Sequence, residues 1–199
     1  MQTITKVFDR YEQAASAVRE LDSIGIPPSN ISLVANQTVS SQYPEVQNSS
    51  EAGNGAGIGA VVGGTAGLLT GLGLLAIPGL GPIVAVGWLA TTALGVVAGG
   101  ATGGIVGALV DSGVPEDHAH VYSEAVRRGG TLLSVRTEDS QVDKVNLLLN
   151  RNQPIDAVRR ASEYRQSGWN GFDPGAEPYK IEDDESDSDS KIESIRRAL

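Results

Sequence analysis

The amino-acid sequence predicts an α+β protein, a ferredoxin-like split βαβ…βαβ sandwich that is interrupted by a long antiparallel glycine-zipper α-hairpin and ends in an acidic C-terminal tail. Two observations predict this fold class. A strand–helix–strand pattern occupies the N-terminal segment and returns after residue 113. Between the two copies lies a glycine-rich block with no Asp, Glu, Lys, Arg or His between Glu51 and Asp111. Two such units with helical crossovers suit one sheet that is split by an insertion.

The predicted boundaries follow these changes in composition. Residues 1–35 and 114–161 form the split α+β domain, residues 36–54 are a polar linker, residues 55–112 are the apolar hairpin, and residues 162–199 are the tail. The inserted residues far outnumber those of an ordinary loop, so we expect them to form an element of their own.

The first unit begins with a strand and continues as a helix. The string TITKVF is rich in β-branched residues, which favours a strand. Asp9 with Glu12 three residues later resembles a capping box. The following helix has one apolar face at Ala14, Val18 and Leu21. The string GIPPS ends this helix, and NISLVA provides the second strand.

The second unit opens with a well-delimited helix in the string GVPEDHAHVYSEAVRRGG. Pro115 suits the first helical position, acidic residues follow it, and Gly129 provides a C-cap after two arginines. The string TLLSVRT is a predicted strand. Ser140 with Asp143 starts a further helix, whose shared face is Val142, Val145 and Leu149. The string PIDAVRRA is either a fourth strand or the beginning of a helix.

Glycine recurs at every fourth position of the block, which is the spacing of one helical face. A glycine inside a helix costs about 1 kcal/mol relative to alanine, so five on one stripe cost about 5 kcal/mol, comparable to the net stability of a small domain. Such helices need a neighbouring helix at backbone distance, or a lipid environment. The predicted helix-packing positions are Gly55, Gly59, Gly63, Gly67 and Gly71 in the first arm and Gly87, Thr91, Gly95, Gly99, Gly103 and Gly107 in the second.

The two arms of the hairpin are predicted over residues 57–77 and 83–110. They are joined by a predicted turn at Pro78, Gly79, Gly81 and Pro82. At about 1.5 Å per residue the arms reach roughly 31 and 42 Å, enough for a hydrocarbon core of about 30 Å. No Lys or Arg lies between Arg19 and Arg127, however, so the arms lack basic anchors. Three hypotheses remain: a hairpin inserted in a membrane, which leads; one buried between copies of a soluble oligomer; and one packed only on its own domain.

Composition excludes several classes of function. The chain of 199 residues carries a formal net charge of −9, which argues against a general nucleic-acid binder and against simple adhesion to anionic lipid. It has no cysteine, which excludes disulfides and cysteine nucleophiles. The N-terminus shows no basic segment followed by an apolar one, so we expect no secretory signal and a cytoplasmic domain that is membrane-associated through the hairpin.

No motif supports catalysis. The spacing G-x-G-x-x-A occurs twice in the block, but no strand directly precedes it and no acidic residue follows until Asp111, so we expect no nucleotide cofactor. His118 and His120 lie two residues apart on a helix, where they diverge and cannot share a metal. His120 and Glu124 can pair across one turn, most simply as a surface hydrogen bond. We therefore expect no enzyme activity, no cofactor and no metal site.

The tail contains an acidic, serine-rich run that cannot bury enough apolar surface to fold alone. Its apolar anchors before the last residues are Trp169, Phe172 and Tyr179. Two interpretations follow. The tail is solvated throughout, or these aromatic side chains dock onto the domain of the same chain or onto a partner.

Two strings, VFDRYEQAASAVRELDSIGIPPSNISLVA and GVPEDHAHVYSEAVRRGGTLLSVRT, resemble the bacterial general stress protein family typified by the heat-induced YflT proteins. The resemblance is to the subgroup in which a glycine-zipper segment interrupts the domain. It covers residues 1–35 and 52–137, and its strongest features are the start at Phe8 and Asp9 and the helix exit that follows Tyr122. It implies a stress-associated, non-enzymatic role and supplies no catalytic residues.

These observations lead to one functional expectation and two alternatives. The chain is expected to be a non-enzymatic stress-associated protein, membrane-anchored or self-assembling through the glycine-zipper hairpin, with itself and membrane lipid as partners. The first alternative is a soluble homo-oligomeric scaffold or shell whose core is built from the hairpins. The second is a small-molecule-binding module, because ferredoxin-like sheets often offer an open face.

Overall fold

The computed structural model describes residues 1–36, 73–77, 80–89 and 104–176 and shows a mixed α/β architecture. The strands are β1 (Gln2–Phe8), β2 (Ile31–Asn36), β3 (Gly73–Ile77), β4 (Gly81–Val86) and β5 (Thr131–Thr137). The α-helices are α1 (Tyr11–Ser23), α2 (Gly104–Asp111), α3 (Glu116–Arg127), α4 (Val142–Arg151) and α5 (Ala157–Gln166). The mixed class that the sequence predicts is confirmed.

The strands form one sheet in the order β1-β5-β2-β4-β3, and every neighbouring pair is antiparallel. β1 and β2, which α1 connects, do not pair with each other, because β5 lies between them. The register places Leu132 of β5 opposite Val7 of β1 on one side and opposite Val34 of β2 on the other. The N-terminal unit is therefore closed by a strand from the C-terminal unit.

Helices cover both faces of this sheet. Successive strand residues point to opposite faces, and both faces are apolar here. Leu33 and Leu133 belong to a core cluster with α1 and α4, whereas Val34 and Leu132 belong to a cluster with α2, α3 and α5. Strands buried on both faces have continuous apolar runs rather than alternating ones. The ferredoxin-like sandwich, in which one face of the sheet stays open, is not confirmed.

The first helix starts one residue later than the capping pattern predicts. The main-chain N–H of Arg10 donates to Oε1 of Gln13 at 3.2 Å, three residues apart. The predicted cap, Asp9, instead pairs with Arg160 of α5 at 2.7 Å. The capping box predicted from Asp9 and Glu12 is therefore wrong by one residue, although the helix itself is confirmed.

The open choice for PIDAVRRA is resolved as the beginning of a helix. Asp156 is the N-cap of α5, and its Oδ1 accepts a hydrogen bond from the main-chain N–H of Arg159 at 2.9 Å. Just before the helix, the main-chain N–H of Ile155 donates to the Val7 carbonyl of β1 at 2.8 Å. The segment before α5 thus makes one main-chain hydrogen bond to β1 and does not continue as the alternative fourth strand.

The centre of the glycine block is a β-hairpin, so the predicted antiparallel α-hairpin is wrong there. β3 pairs with β4, with Leu75 opposite Ile83, and β4 pairs in turn with β2, with Val86 opposite Leu33. A short apolar run bounded by Gly and Pro fits a buried strand as well as a helix, and periodicity alone does not separate the two. Pro82, which lacks an N–H, is accommodated because pairing with β2 begins only at Ile83.

The described part of the block belongs to the same domain as the terminal units. Ile83, Leu89 and Leu109 lie in one core cluster with Val126 of α3. The described residues of the predicted segment 55–112 therefore pack on the α+β domain of the same chain. At the other end, α5 crosses the predicted boundary between residues 161 and 162, and Phe172 is buried. The folded domain extends into the predicted tail.

Candidate functional site

Most of the predicted packing residues lie outside the described residues, and the others occupy three different environments. Gly81 and Pro82 begin β4, so the predicted turn connects two strands rather than two helices. Gly87 lies at a bend after β4, and Gly107 lies in α2. The predicted positions outside the described residues are Gly55, Gly59, Gly63, Gly67, Gly71, Pro78, Gly79, Thr91, Gly95, Gly99 and Gly103. We name residues 80–89 together with α2 the block anchor, because they attach the glycine block to the sheet.

Glycine is required at position 87 because the main chain of β2 lies close to it, and not because the position belongs to a glycine stripe on a helix. Its φ of +90° is a left-handed conformation that residues with a side chain rarely adopt. A Cβ atom on Gly87 would overlap the carbonyl oxygen of Ile31 and lie 2.8 Å from the Cα of Ser32. The prediction that Gly87 packs against a helix is therefore wrong. Around Gly107 the described residues place no atom within 4 Å of an added Cβ, so they provide no close partner for that position.

The residues after Gly87 connect the block to β2 and β5. The main-chain N–H of Leu89 donates to Oγ of Ser32 in β2 at 3.2 Å. The guanidinium carbon of Arg136 in β5 lies 3.6 Å from the centre of the Trp88 ring, which is a cation–π contact. Sequence reasoning missed both contacts, since the partners are far apart along the chain. The block anchor is held by main-chain and side-chain interactions in addition to apolar packing.

α2 packs over the β4 side of the sheet with little space left. Ile105, Ala108 and Leu109 line a cavity of about 20 Å³ together with apolar residues of β2, β4 and β5. A cavity of this size holds about one water, which would need polar partners that an apolar lining does not supply. The site is therefore a packing defect rather than a ligand pocket.

A buried ion cluster lies at the C-terminal end of α3. The carboxylate of Glu124 is 2 % exposed and accepts hydrogen bonds from Arg127 Nε at 2.9 Å and Nη2 at 2.6 Å. It also accepts one from Arg128 Nε at 2.6 Å, and the Arg128 guanidinium lies 4.3 Å from the centre of the Tyr164 ring of α5. The predicted pair of His120 with Glu124 is wrong. This carboxylate is engaged by two guanidinium groups, so the arrangement favours a structural role over general-base chemistry.

A second ion pair joins α5 to the junction between β1 and α1. Nη2 of Arg160 donates to Oδ2 of Asp9 at 2.8 Å. The hydrogen bond to Asp9 raises the pKa of Arg160, so the guanidinium stays charged. Burial raises the pKa of Tyr164, whose ring centre lies 4.3 Å from the guanidinium carbon of Arg128 and 5.8 Å from that of Arg160. The ion pairs Arg128–Glu124 and Arg160–Asp9 thus lie next to the Tyr164 ring. The phenol of Tyr164 stays protonated at neutral pH because its pKa is raised.

His118 and His120 contact different residues. His120 Nδ1 accepts a hydrogen bond from the main-chain N–H of Phe172 at 3.1 Å. The ring centre of His118 lies 6.1 Å from that of Tyr122. Burial, and then the charge of Asp156, raise the pKa of Tyr122. In the part of the chain that the structure describes, no three His, Asp or Glu side chains are placed to hold a metal ion.

Replacing Asp156 by asparagine is expected to make stability less sensitive to acid. The hydrogen bond from the Arg159 N–H holds the pKa of Asp156 below its ordinary value. A carboxylate with a lowered pKa stabilises the fold above its unfolded-state pKa of about 3.9 and loses that contribution as the pH falls through the folded-state value. Asparagine is an equally good N-cap but does not titrate. Urea unfolding at neutral and acid pH measures the difference, and equal acid sensitivity of both proteins would contradict the assignment.

Comparison with known proteins finds no family model, no curated protein and no solved structure that matches this chain. The resemblance to the general stress protein family therefore rests on the sequence strings in which it was noted. Of the helices in the described ranges, none combines the length and the apolar composition that crossing a bilayer requires.

Proposed function

We propose that this chain is a non-enzymatic, stress-associated protein that self-assembles through its glycine-rich block. The observation that carries the proposal is the position of the block at one edge of the sheet. Among the strands of the described residues, β3 is the last in the order β1-β5-β2-β4-β3, and its sequence GLLAI carries no polar side chain. Sheet edges that avoid association usually carry charged residues, proline or a bulge. An apolar edge strand inside an uncharged block is typical of a surface that associates.

The glycine stripes supply the second part of the argument. Along the chain, residues 55–72 directly precede β3, and residues 90–103 join the two parts of the block anchor, residues 80–89 and α2. Their glycines recur at helical spacing, and small residues at that spacing allow helices to approach at backbone distance. We propose that these stripes pack between copies of the chain, instead of pairing as adjacent arms within one hairpin.

The described structure favours assembly over small-molecule binding. The open sheet face on which the small-molecule alternative depended is covered by helices, because both faces belong to core clusters. The cavity beside α2 has a volume of about 20 Å³, which is too small for an organic ligand. The charged cluster around Glu124 is closed by its own arginines.

A membrane anchor is the second candidate, and the absence of charged residues between Glu51 and Asp111 favours it. Such a stretch tolerates a lipid environment, where each charged side chain is costly. In this version the glycine stripes pack helices inside the bilayer, and membrane lipid is the partner. The domain of strands and helices then stays at the membrane surface.

Size determination of the full chain, with and without detergent, tests the proposal. Self-assembly in water predicts a large species without detergent, whereas a membrane anchor predicts a pellet that resists alkaline carbonate washing. Replacing both Gly63 and Gly99 by leucine is expected to reduce either form to single chains in solution or to aggregates without defined size. The added side chains would keep the small-residue stripes apart.

The matched control replaces Val62 and Val96 by leucine, because these positions lie off the stripes in the same stretches. This variant should assemble like the original chain. If the glycine variant also assembles normally, the stripes do not carry the interface. If the original chain is a single copy in both solvents, self-assembly is excluded.

A further inference from the structure

Residues 167–176 follow α5 without regular secondary structure, and we name them the C-terminal strap. Trp169 packs edge-on against Tyr164 of α5, with ring centres 5.6 Å apart. Phe172 inserts into the core cluster that contains α3 and α5, and it is 8 % exposed. The interpretation that the aromatic residues dock onto the chain's own domain is thus confirmed for these two residues, whereas Tyr179 lies outside the described residues.

One hydrogen bond connects the middle of the strap to α3. The main-chain N–H of Phe172 donates to Nδ1 of His120 at 3.1 Å. The other hydrogen bonds of the described strap stay within it or reach the end of α5. A histidine nitrogen accepts a hydrogen bond only when it carries no proton. The docked strap therefore requires His120 with an unprotonated Nδ1.

Three carboxylates on α3, on the strap and at the start of α5 have partners other than His120. Glu124, one turn along α3, is paired with arginines, and Asp173 in the strap accepts from the Gly175 N–H at 2.7 Å. Asp156 caps α5. The further charged or titratable groups on α3 and on the elements that pack against it are Asp111 of α2, Glu116, Asp117, His118, Tyr122 and Arg127 of α3, Arg159, Arg160, Glu163, Tyr164 and Arg165 of α5, Lys6 of β1, and Arg136 of β5. Within the described ranges none of these groups forms a hydrogen bond or ion pair with His120, so none replaces Phe172 as its partner.

We infer that His120 is a pH-dependent latch for the C-terminal strap. Protonation of Nδ1 places an N–H group against the N–H of Phe172, so the hydrogen bond is lost and two donors face each other. Histidine is the side chain that ordinarily changes charge between pH 5 and 8. Protonation of His120 therefore releases Phe172 from the core. The described strap then separates from α3 and stays attached to the domain at the end of α5.

Selective labelling gives a direct readout on the full chain. The sequence contains 2 phenylalanines, Phe8 and Phe172, so a chain labelled with ¹⁵N-phenylalanine has two main-chain amide signals. Phe8 lies in β1 and reports whether the domain stays folded. Between pH 8 and pH 5, the Phe172 signal is expected to move in one transition from a hydrogen-bonded to a free position, while the Phe8 signal keeps its position.

Three variants assign the transition to His120. His120→Asn places an amide oxygen near the position of Nδ1, so the strap should stay docked at both ends of the pH range. His120→Leu removes the acceptor, so the Phe172 signal should be free throughout. The matched control His118→Asn should keep the transition of the original chain. A Phe172 signal that does not move, or one that moves equally in His120→Asn, would overturn the latch; so would loss of the transition in His118→Asn.

Discussion

Replacing Gly87 by alanine is expected to lower the free energy of unfolding by about 3–5 kcal/mol. Two effects add at this position. The left-handed φ of +90° strains any residue that has a Cβ atom, and the new methyl group overlaps the main chain of Ile31 and Ser32. Since β2 is paired on both of its sides, its main chain cannot move away cheaply. Urea unfolding of the full chain measures the loss.

Gly113 provides the matched control for this prediction. Its φ is +92°, almost the same as that of Gly87, but an added Cβ meets no atom of the described residues within 4 Å. Gly113→Ala should therefore show the conformational strain alone, which amounts to about 1–2 kcal/mol. Equal losses in both variants would show that β2 does not approach Gly87 as closely as the structure indicates.

Replacing Glu124 by glutamine is expected to destabilise the protein by about 3 kcal/mol, near the lower end for breaking a buried ion pair. The amide keeps the shape of the side chain, but it leaves the guanidinium groups of Arg127 and Arg128 without the charge that they face. Both arginines are more exposed than Glu124 and regain some hydration, which keeps the loss from being larger. Thermal and urea unfolding both report this loss.

An exposed ion pair on α5 controls for the general effect of removing a charge. Arg159 and Glu163 lie 3.5 Å apart with most of the Arg159 side chain in solvent. Arg159→Gln should change the free energy of unfolding by no more than about 0.5 kcal/mol. A change of that small size in Glu124→Gln as well would mean that the carboxylate is solvated rather than buried.

The terminal units were predictable because their signals are local. Pro115 and Gly129 bracket α3, and the acidic first turn and basic last turn agree with the direction of its dipole. The ion cluster at Glu124 was also readable in principle, since Arg127 and Arg128 follow it at the helical spacings of three and four residues. The pairing of Asp9 with Arg160 was not, because 151 positions separate the two residues.

The glycine block shows where periodicity stops being informative. Gly87 belongs to the series of glycines at every fourth position, but glycine is needed there because the main chain of β2 lies close to it. That contact cannot be inferred from the spacing of the glycines. The residues before and after Ile83 in the sequence are also apolar, so the sequence shows neither the two-residue period of a strand nor the helical period. Only the pairing of this segment with β2 identifies it as a strand. Tertiary contacts decide both cases.

The position of β5 between β1 and β2 has a consequence for biosynthesis. Translation delivers β1 and β2 early, but the strand that both of them require emerges only after the entire uncharged block. While the ribosome makes that block, the nascent chain exposes unsatisfied strand edges beside a long apolar stretch, a combination that promotes aggregation of folding intermediates. We therefore expect newly made chains to depend on chaperones until Thr137 has left the ribosome, and to become independent of them once β5 is inserted between β1 and β2.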